Sequence, residues 1–124
     1  MEETRNTYKI YEGSHIGEVQ IADDVVAIIA GLAAMEVKGV ASMAGNITSE
    51  LISKLGMKKL SKGVNIVVED GVVTVSLSLN LEYKFNLVEV SSKVQEKVKS
   101  AIENMTGLKV ASVNVSIASV NVQK

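Results

Sequence analysis

Apolar and polar residues alternate along Val72–Tyr83, which reads V-V-T-V-S-L-S-L-N-L-E-Y. From Val73 onward the odd positions are apolar, and the even positions carry Thr, Ser, Ser, Asn and Glu. This period of two is typical of a strand with one face in a core and the other face free. Shorter stretches predict further strands at Gly17–Ile21, Val37–Met43, Asn65–Glu69 and Lys109–Ile117.

Apolar residues at steps of three and four predict three helices. The first runs from Asp23, whose carboxylate is predicted to cap it, to Met35. Its predicted core stripe consists of Val25, Ile28, Ile29, Leu32 and Ala33. A weaker helix is predicted at about Ile47–Leu55. A longer one over Leu87–Met105 is predicted to end at Gly107 in the left-handed conformation.

The connections complete the predicted fold. Asp70-Gly71 predicts a type I′ hairpin turn, and a shift in the alternation near Ala118-Ser119 predicts a bulge or bend. The resulting order is β-α-β-α-β-β-α-β. Because the long strands are apolar on one face only, the helices should gather on that face. We therefore predict an α+β, two-layer sandwich with a mixed sheet: a flexible tail over residues 1–14 and one domain over 15–124.

The composition restricts the type of core, the class of partner and the cellular location that we expect. The core must be aliphatic, because 47% of the 124 residues are hydrophobic and only 3% are aromatic. A formal charge of −1 gives no general attraction to nucleic acid or anionic lipid. The longest uncharged apolar run, Val25–Met35, is shorter than the ~20 residues of a membrane span. The N-terminus lacks the features of a signal peptide, so we expect a cytoplasmic protein.

No group of residues in the sequence indicates a catalysed reaction. The chain has no Cys, and its one His, His15, lies in a glycine-flanked stretch that promises no rigid catalytic geometry. The carboxylates are scattered, and transition metals usually prefer imidazole or thiolate ligands. We therefore expect no enzyme activity, no metal site and no cofactor.

A basic patch lies at Lys54, Lys58, Lys59 and Lys62, around a loop over Gly56–Gly63. Three interpretations stay open: a solvated loop, a surface for an anionic partner, or RNA binding. The loop lacks the glycine and lysine order of a phosphate-binding loop. No aromatic residues are interleaved with the patch for base stacking, so nucleic acid is not the expected partner. RNA binding here would depend steeply on salt, and a flat salt titration would exclude it.

The polar face of the predicted Val72–Tyr83 strand leads to a more specific hypothesis about function. If the last strand adjoins it, Thr74, Ser76, Ser78 and Asn80 lie beside Ser112, Asn114 and Ser116. The plain interpretation is a wetted sheet face. The alternative is a docking surface, since short hydroxyl side chains lose little entropy and are easier to dehydrate than charged ones. The predicted interface residues are Thr74, Ser76, Ser78, Asn80, Asn114 and Ser116.

Several segments taken in order carry a family resemblance. They are G-E-V-Q-I-A-D-D-V-V-A-I-I-A-G-L-A-A, G-V-A-S-M-A-G and T-G-L-K-V-A-S-V-N-V. Together they resemble the alkaline shock protein family of bacteria over about residues 16–122. The chain departs from the family pattern at Lys84 and Ser119, where relatives usually have Gly.

The resemblance implies a small bacterial protein linked to general and cell-envelope stress, which reaches the inner membrane face only through a partner. It implies no catalytic residues. We therefore predict a non-enzymatic stress protein that acts by protein–protein contact, with itself and with an unidentified partner protein. The alternative is a ligand module with an apolar slot between the Val25–Met35 helix and the sheet. Such a slot would hold an acyl chain or small amphiphile, and the resemblance adds a hint of lipid metabolism.

Overall fold

The computed structural model describes residues 7–10, 19–44, 61 and 63–122, and shows an α+β fold there, as predicted. Two helices are described: α1 (Asp23–Met35) and α2 (Leu87–Thr106). The strands are β1 (Thr7–Ile10), β2 (Val19–Ala22), β3 (Val40–Met43), β4 (Val64–Glu69), β5 (Val72–Glu82) and β6 (Lys109–Asn121).

The predicted element order is wrong at its N-terminal end. Strand β1 lies in the segment predicted as a tail and pairs antiparallel with β2, from Thr7 opposite Ala22 to Ile10 opposite Val19. The prediction missed β1 because a four-residue strand gives little alternation of its own and depends on its partner for pairing. The helix predicted at Ile47–Leu55 lies outside the described residues, and the boundary between tail and domain stays a prediction.

Strand β5 is the centre of a four-stranded sheet. Strand β6 runs parallel to it along its whole length, from Val72 to Glu82. Strands β4 and β3 pair antiparallel with successive parts of β5, at 72–77 and 79–81. Since β6 takes one edge of β5, β3 and β4 must share the other edge end to end. The sheet is therefore mixed, and the predicted neighbours β5 and β6 do adjoin.

The predicted turn and bulge are confirmed. Asp70 and Gly71 have φ angles of 54° and 76°, as a type I′ turn requires. Near the end of β6 the register moves from Leu79 opposite Ile117 to Asn80 opposite Ser119, which leaves Ala118 as the extra residue of a bulge. A second shift, at Ala111, has no counterpart in the prediction.

The helices pack on one face of the sheet, where they bury the odd-numbered residues of β5. Val73, Val75, Leu79 and Leu81 are fully buried there. Helix α2 contributes a buried stripe made of Val90, Val94, Val98 and Ile102. Helix α1 packs against α2 and contacts β3 and β4. The described part of the chain thus forms two layers, helices over sheet.

Helix α1 has the predicted bounds, but it is rotated relative to the predicted core stripe. Val25 is 46% exposed, and Ile28, Ile29 and Leu32 are only half-buried. Its most buried residues are Val26, Ala27, Ala30, Gly31, Ala33 and Ala34. Small side chains let the helix axis approach its neighbours closely, so packing distance rather than side-chain size selects the buried side.

The two helices begin differently. The residue before α1 is Ala22, which makes no side-chain cap, and Asp23 is the first helical residue rather than the predicted cap. Helix α2 is capped by Asn86, whose Oδ1 accepts from the Glu89 N–H at 3.0 Å. It ends at Gly107 with φ 79°, as predicted.

The ends of α2 extend past the core. Leu87 and Met105, the first and last residues of the predicted helix, are 36% and 69% exposed. Helix α2 has 20 residues and α1 has 13. At about 1.5 Å per residue, α2 is roughly 10 Å longer than the helix beside it, so α1 cannot cover it over its whole length.

Candidate functional site

The candidate site is the outer face, defined as the side of the sheet turned away from the helices. Cross-strand pairs fix its composition: Thr74 lies opposite Ser112, Ser76 opposite Asn114, and Ser78 opposite Ser116. These are the neighbours that the alternation predicted. On the other side of β5, Asn65 lies opposite Ser76 and Val67 opposite Thr74. The structure therefore brings five of the six predicted interface residues together on one accessible face.

Among the described residues, the outer face carries no charged side chain over its central rows. The nearest charges are Glu69 and Lys109, which flank Val72 at one end, and Glu82 at the other end. Thr74, Ser76 and Ser78 are half-buried, and their neighbours on β6 are exposed. Burying this surface would remove small hydroxyl and amide groups from water, but no full charge.

Two valines give the outer face an apolar component. Val67 is 55% exposed and Val72 is 38% exposed. Near the junction of β3 and β4, a shallow open depression of about 460 Å³ is bordered by Asn65, Ser76, Ser78 and Ser116. The face is thus neutral and partly apolar, with one open depression. Small-molecule sites are lined mostly by apolar groups, whereas this depression is bordered by polar ones, so the face fits a macromolecular contact better.

Asn80, the sixth predicted interface residue, has a different role. It is 5% exposed, and its Nδ2 donates to Ser42 Oγ at 2.9 Å and to the Met43 carbonyl oxygen at 3.3 Å. Ser119 Oγ donates to Asn80 Oδ1 at 2.7 Å. Asn80 therefore cross-links β3, β5 and β6, and a partner would have to break these bonds to use it. Alternation placed Asn80 on the right face but gave no sign of these distant partners.

A second candidate feature is an open apolar groove of about 340 Å³ between α1 and α2. Ile29, Leu32 and Met105 line it, and the Lys97 Nζ–Glu36 Oε1 ion pair at 3.2 Å lies at its rim. The alternative interpretation of the sequence placed an apolar slot between α1 and the sheet instead. In the described core, buried alanines of α1 pack at that position, so the concave apolar surface lies between the helices.

Other candidates are not placed by the structure. His15 and the basic patch of Lys54, Lys58, Lys59 and Lys62 lie outside the described residues. Within the described ranges, no group of three or more His, Cys, Asp or Glu side chains could hold a metal ion. Nor is any helix of those ranges both long and apolar enough to cross a membrane.

Comparison with known proteins gives relatives of similar length. The chain is 33% identical over 110 residues to YqhY of Bacillus subtilis (strain 168), covering 89% of this chain and 82% of that protein. It is 32% identical over 111 residues to Spy1535 of Streptococcus pyogenes serotype M6, covering 89% and 84%. It is 32% identical over 108 residues to YloU of Bacillus subtilis (strain 168), covering 86% and 90%.

Solved structures offer only a distant likeness. A variant of MamM CTD superposes with a TM-score of 0.48 at 16% identity, covering 77% of this chain and 93% of that chain. Similarity at this level carries no inference about function.

The family model matches more of the chain. It is described as the Asp23 family, cell envelope-related function, and it matches residues 11–122. The family name is unrelated to residue Asp23 of this chain. With nearly the whole chain matched and three relatives above 30% identity, this protein belongs to the Asp23, or alkaline shock protein, family, which has a cell envelope-related function.

Proposed function

We propose that this chain is a non-enzymatic envelope-stress protein that acts by protein–protein contact, including contact with itself. The outer face is its contact surface. The observation that carries the proposal is the uncharged surface formed by β4, β5 and β6 around Ser76 and Asn114. Partners of this kind would also bring the chain to the membrane, which it reaches indirectly.

The contrast between the two sides of the molecule supports this assignment. The solvent side of α2 is coated with exposed charges, among them Lys93, Glu96, Lys97 and Lys99. In the part of the chain that the structure describes, the outer face has none between Val72 and Asn80. Charged side chains resist dehydration, and the centres of protein interfaces are depleted in them. Water therefore solvates the charged helix side strongly, whereas the uncharged outer face can be buried against another protein at a lower dehydration cost.

Adding charge to the outer face tests the proposal. Replacing both Ser76 and Ser78 with lysine is expected to lower the oligomeric mass measured by light scattering. The added charges would have to be dehydrated on contact, and in a self-contact they would repel each other. The thermal midpoint should change little, since both side chains can extend into solvent.

The matched control adds the same two charges to the helix side, through Ser92→Lys with Ser100→Lys. Both positions are exposed on α2, so the control should keep the wild-type mass. An outer-face variant with the mass of the wild type would remove this face from the proposed function.

The groove between α1 and α2 supports a second candidate, binding of an acyl chain or small amphiphile. Its apolar lining fits such a ligand better than the polar border of the depression on the outer face does. Native mass spectrometry of protein purified without detergent separates the two proposals. An adduct retained by the wild type and lost in Leu32→Glu supports the ligand. Discrete multimers without an adduct support protein contact.

A further inference from the structure

Strand β6 leaves one long edge open. It pairs with β5 on one side, and no other described strand pairs with it. It has 13 residues and carries no charge after Lys109. Exposed strand edges template pairing with other chains, and natural proteins protect them with charges, proline or a covering element. In the described part of the chain, β6 has no proline and, beyond Lys109, no charged residue to protect it.

Helix α2 covers only the first half of this edge. Glu103 Oε2 accepts from the Val110 N–H at 3.0 Å, and Gln95 Nε2 donates to the Val113 carbonyl oxygen at 3.1 Å. These two side chains occupy backbone groups that would otherwise face a neighbouring strand. No described side chain bonds the β6 backbone from Asn114 to Asn121. We call this segment the open half-edge.

Exposed apolar side chains accompany the open half-edge on the helix side of the sheet. Ile117 and Val120 lie opposite the buried Leu79 and Leu81, yet they are 38% and 36% exposed. Because Gln95 reaches Val113 and Glu103 reaches Val110, α2 runs antiparallel to β6. The core therefore thins out toward the end of β6, and a strand placed there would bury apolar surface as well as gain backbone hydrogen bonds.

We propose that two copies of this chain associate by pairing their open half-edges antiparallel, so that their sheets become continuous. The two-fold axis passes between Ala118 and Ser119, which places Ile117 of each copy opposite Val120 of its partner, both on the helix side of the sheet. This register aligns the two bulges. It also ends the pairing before Val113, whose carbonyl oxygen is occupied by an α2 side chain. The inference rests on the proposed function, because it adds a second surface to the self-contact proposed there.

The lack of charged residues in β6 favours a second copy as the partner at this edge. In a two-fold interface a strand faces its own sequence, so a charge close to the axis would lie near the same charge of the partner copy. Strand β6 is neutral from Val110 to Asn121, which removes that repulsion. Continuous pairing would also join the outer faces of the two copies side by side. The outer faces would then form one wider surface, which remains accessible for the contacts of the proposed function.

Single cysteines test the geometry cleanly, because the chain has none of its own. Ala118→Cys is expected to give a disulfide-linked dimer as the main product of mild oxidation, seen by non-reducing electrophoresis. The two Ala118 residues lie diagonally across the axis, where a rise of about 3.3 Å and a strand spacing of about 4.8 Å put their Cα atoms roughly 6 Å apart, within the range a disulfide needs. Ser76→Cys on the outer face and Ser92→Cys on α2 should stay mostly monomeric under the same treatment.

A charge at the same edge gives an independent readout. Ile117→Lys should weaken the association of the full chain roughly tenfold in sedimentation equilibrium, equivalent to about 1.4 kcal/mol. Val25→Lys, which also replaces an exposed apolar residue on the helix side, should leave it unchanged. If Ile117→Lys fails to fold by circular dichroism, the cysteine result decides alone.

The outcomes separate this inference from the proposed function. Linking through Ser76→Cys but not Ala118→Cys, with a multimeric wild type, would overturn edge pairing and leave outer-face contact standing. A wild-type chain that is monomeric at all concentrations, with neither cysteine linking, would overturn self-contact altogether.

Discussion

Replacing Asn80 with leucine is expected to lower the free energy of unfolding by about 3 kcal/mol. The leucine side chain cannot bond Ser42 Oγ, the Met43 carbonyl oxygen or Ser119 Oγ, all of which Asn80 contacts in the structure. Ser42 is 3% exposed, so water cannot readily replace the lost partner. Urea unfolding followed by circular dichroism measures the difference.

Two neighbouring variants serve as controls for Asn80→Leu. Ser119→Ala removes only one of the three hydrogen bonds and should cost about 1 kcal/mol. Ser78→Ala lies next to Asn80 on the outer face, where no described hydrogen bond holds its side chain, and should cost less than about 0.5 kcal/mol. An Asn80→Leu protein of normal stability but reduced oligomeric mass would return Asn80 to the interface predicted from alternation.

Much of the sheet follows from local pattern alone. Alternation along Val72–Tyr83 predicts both the buried face of β5 and its polar outer face. Asp70 and Gly71 fix the hairpin to β4 because only a few residue types adopt positive φ cheaply. The pairing of β5 with β6 also follows, since the helix between two parallel strands provides the crossover they need. The outer face was therefore predictable residue by residue, except at Asn80.

The orientation of α1 was not predictable in the same way. This helix is apolar on nearly every side, so the 3.6-residue period has no polar back to define the buried face. The pattern favoured the large residues at Val25 and Ile29. Close packing instead selected the small ones at Ala30 and Ala34, which depends on the distance to neighbouring elements.

The long-range polar contacts could not be predicted from the sequence either. Gln95 and Glu103 belong to the charged side of an amphipathic helix, and nothing in their local sequence marks them as partners of the β6 backbone. Yet these two bonds decide where the β6 edge is covered and where it is open. The outer face could be predicted from the sequence, whereas the open half-edge required the three-dimensional structure.

The open half-edge and the outer face offer two different kinds of contact. The open half-edge offers backbone hydrogen bonds in a fixed direction, which suits one geometry and a copy of the same strand. The outer face offers hydroxyl groups and two exposed valines without a fixed direction, which suits a partner with a matching surface. A chain with both can assemble with itself and still present a larger, repeated surface to another protein.

Gly39→Ala is expected to destabilise the chain by about 3 kcal/mol, through strain and overpacking together. Gly39 has φ +104°, and an added Cβ would lie 2.8 Å from Val90 Cγ2 and 3.1 Å from Phe85 Cδ2. Val90 is buried, and the Gly39 carbonyl oxygen accepts from the Glu82 N–H at 2.8 Å, so the turn has little room to shift. Urea unfolding measures the loss.

Gly71→Ala is the matched control, because it separates strain from space. Gly71 also has positive φ, +76°, but an added Cβ would meet nothing within 4 Å. Its expected cost is therefore the conformational part alone, about 1 kcal/mol. The difference between the two variants measures the packing of α2 and Phe85 against the turn after α1. Equal losses would mean that Val90 and Phe85 move aside freely, and that the start of α2 is not held against the sheet as the structure has it.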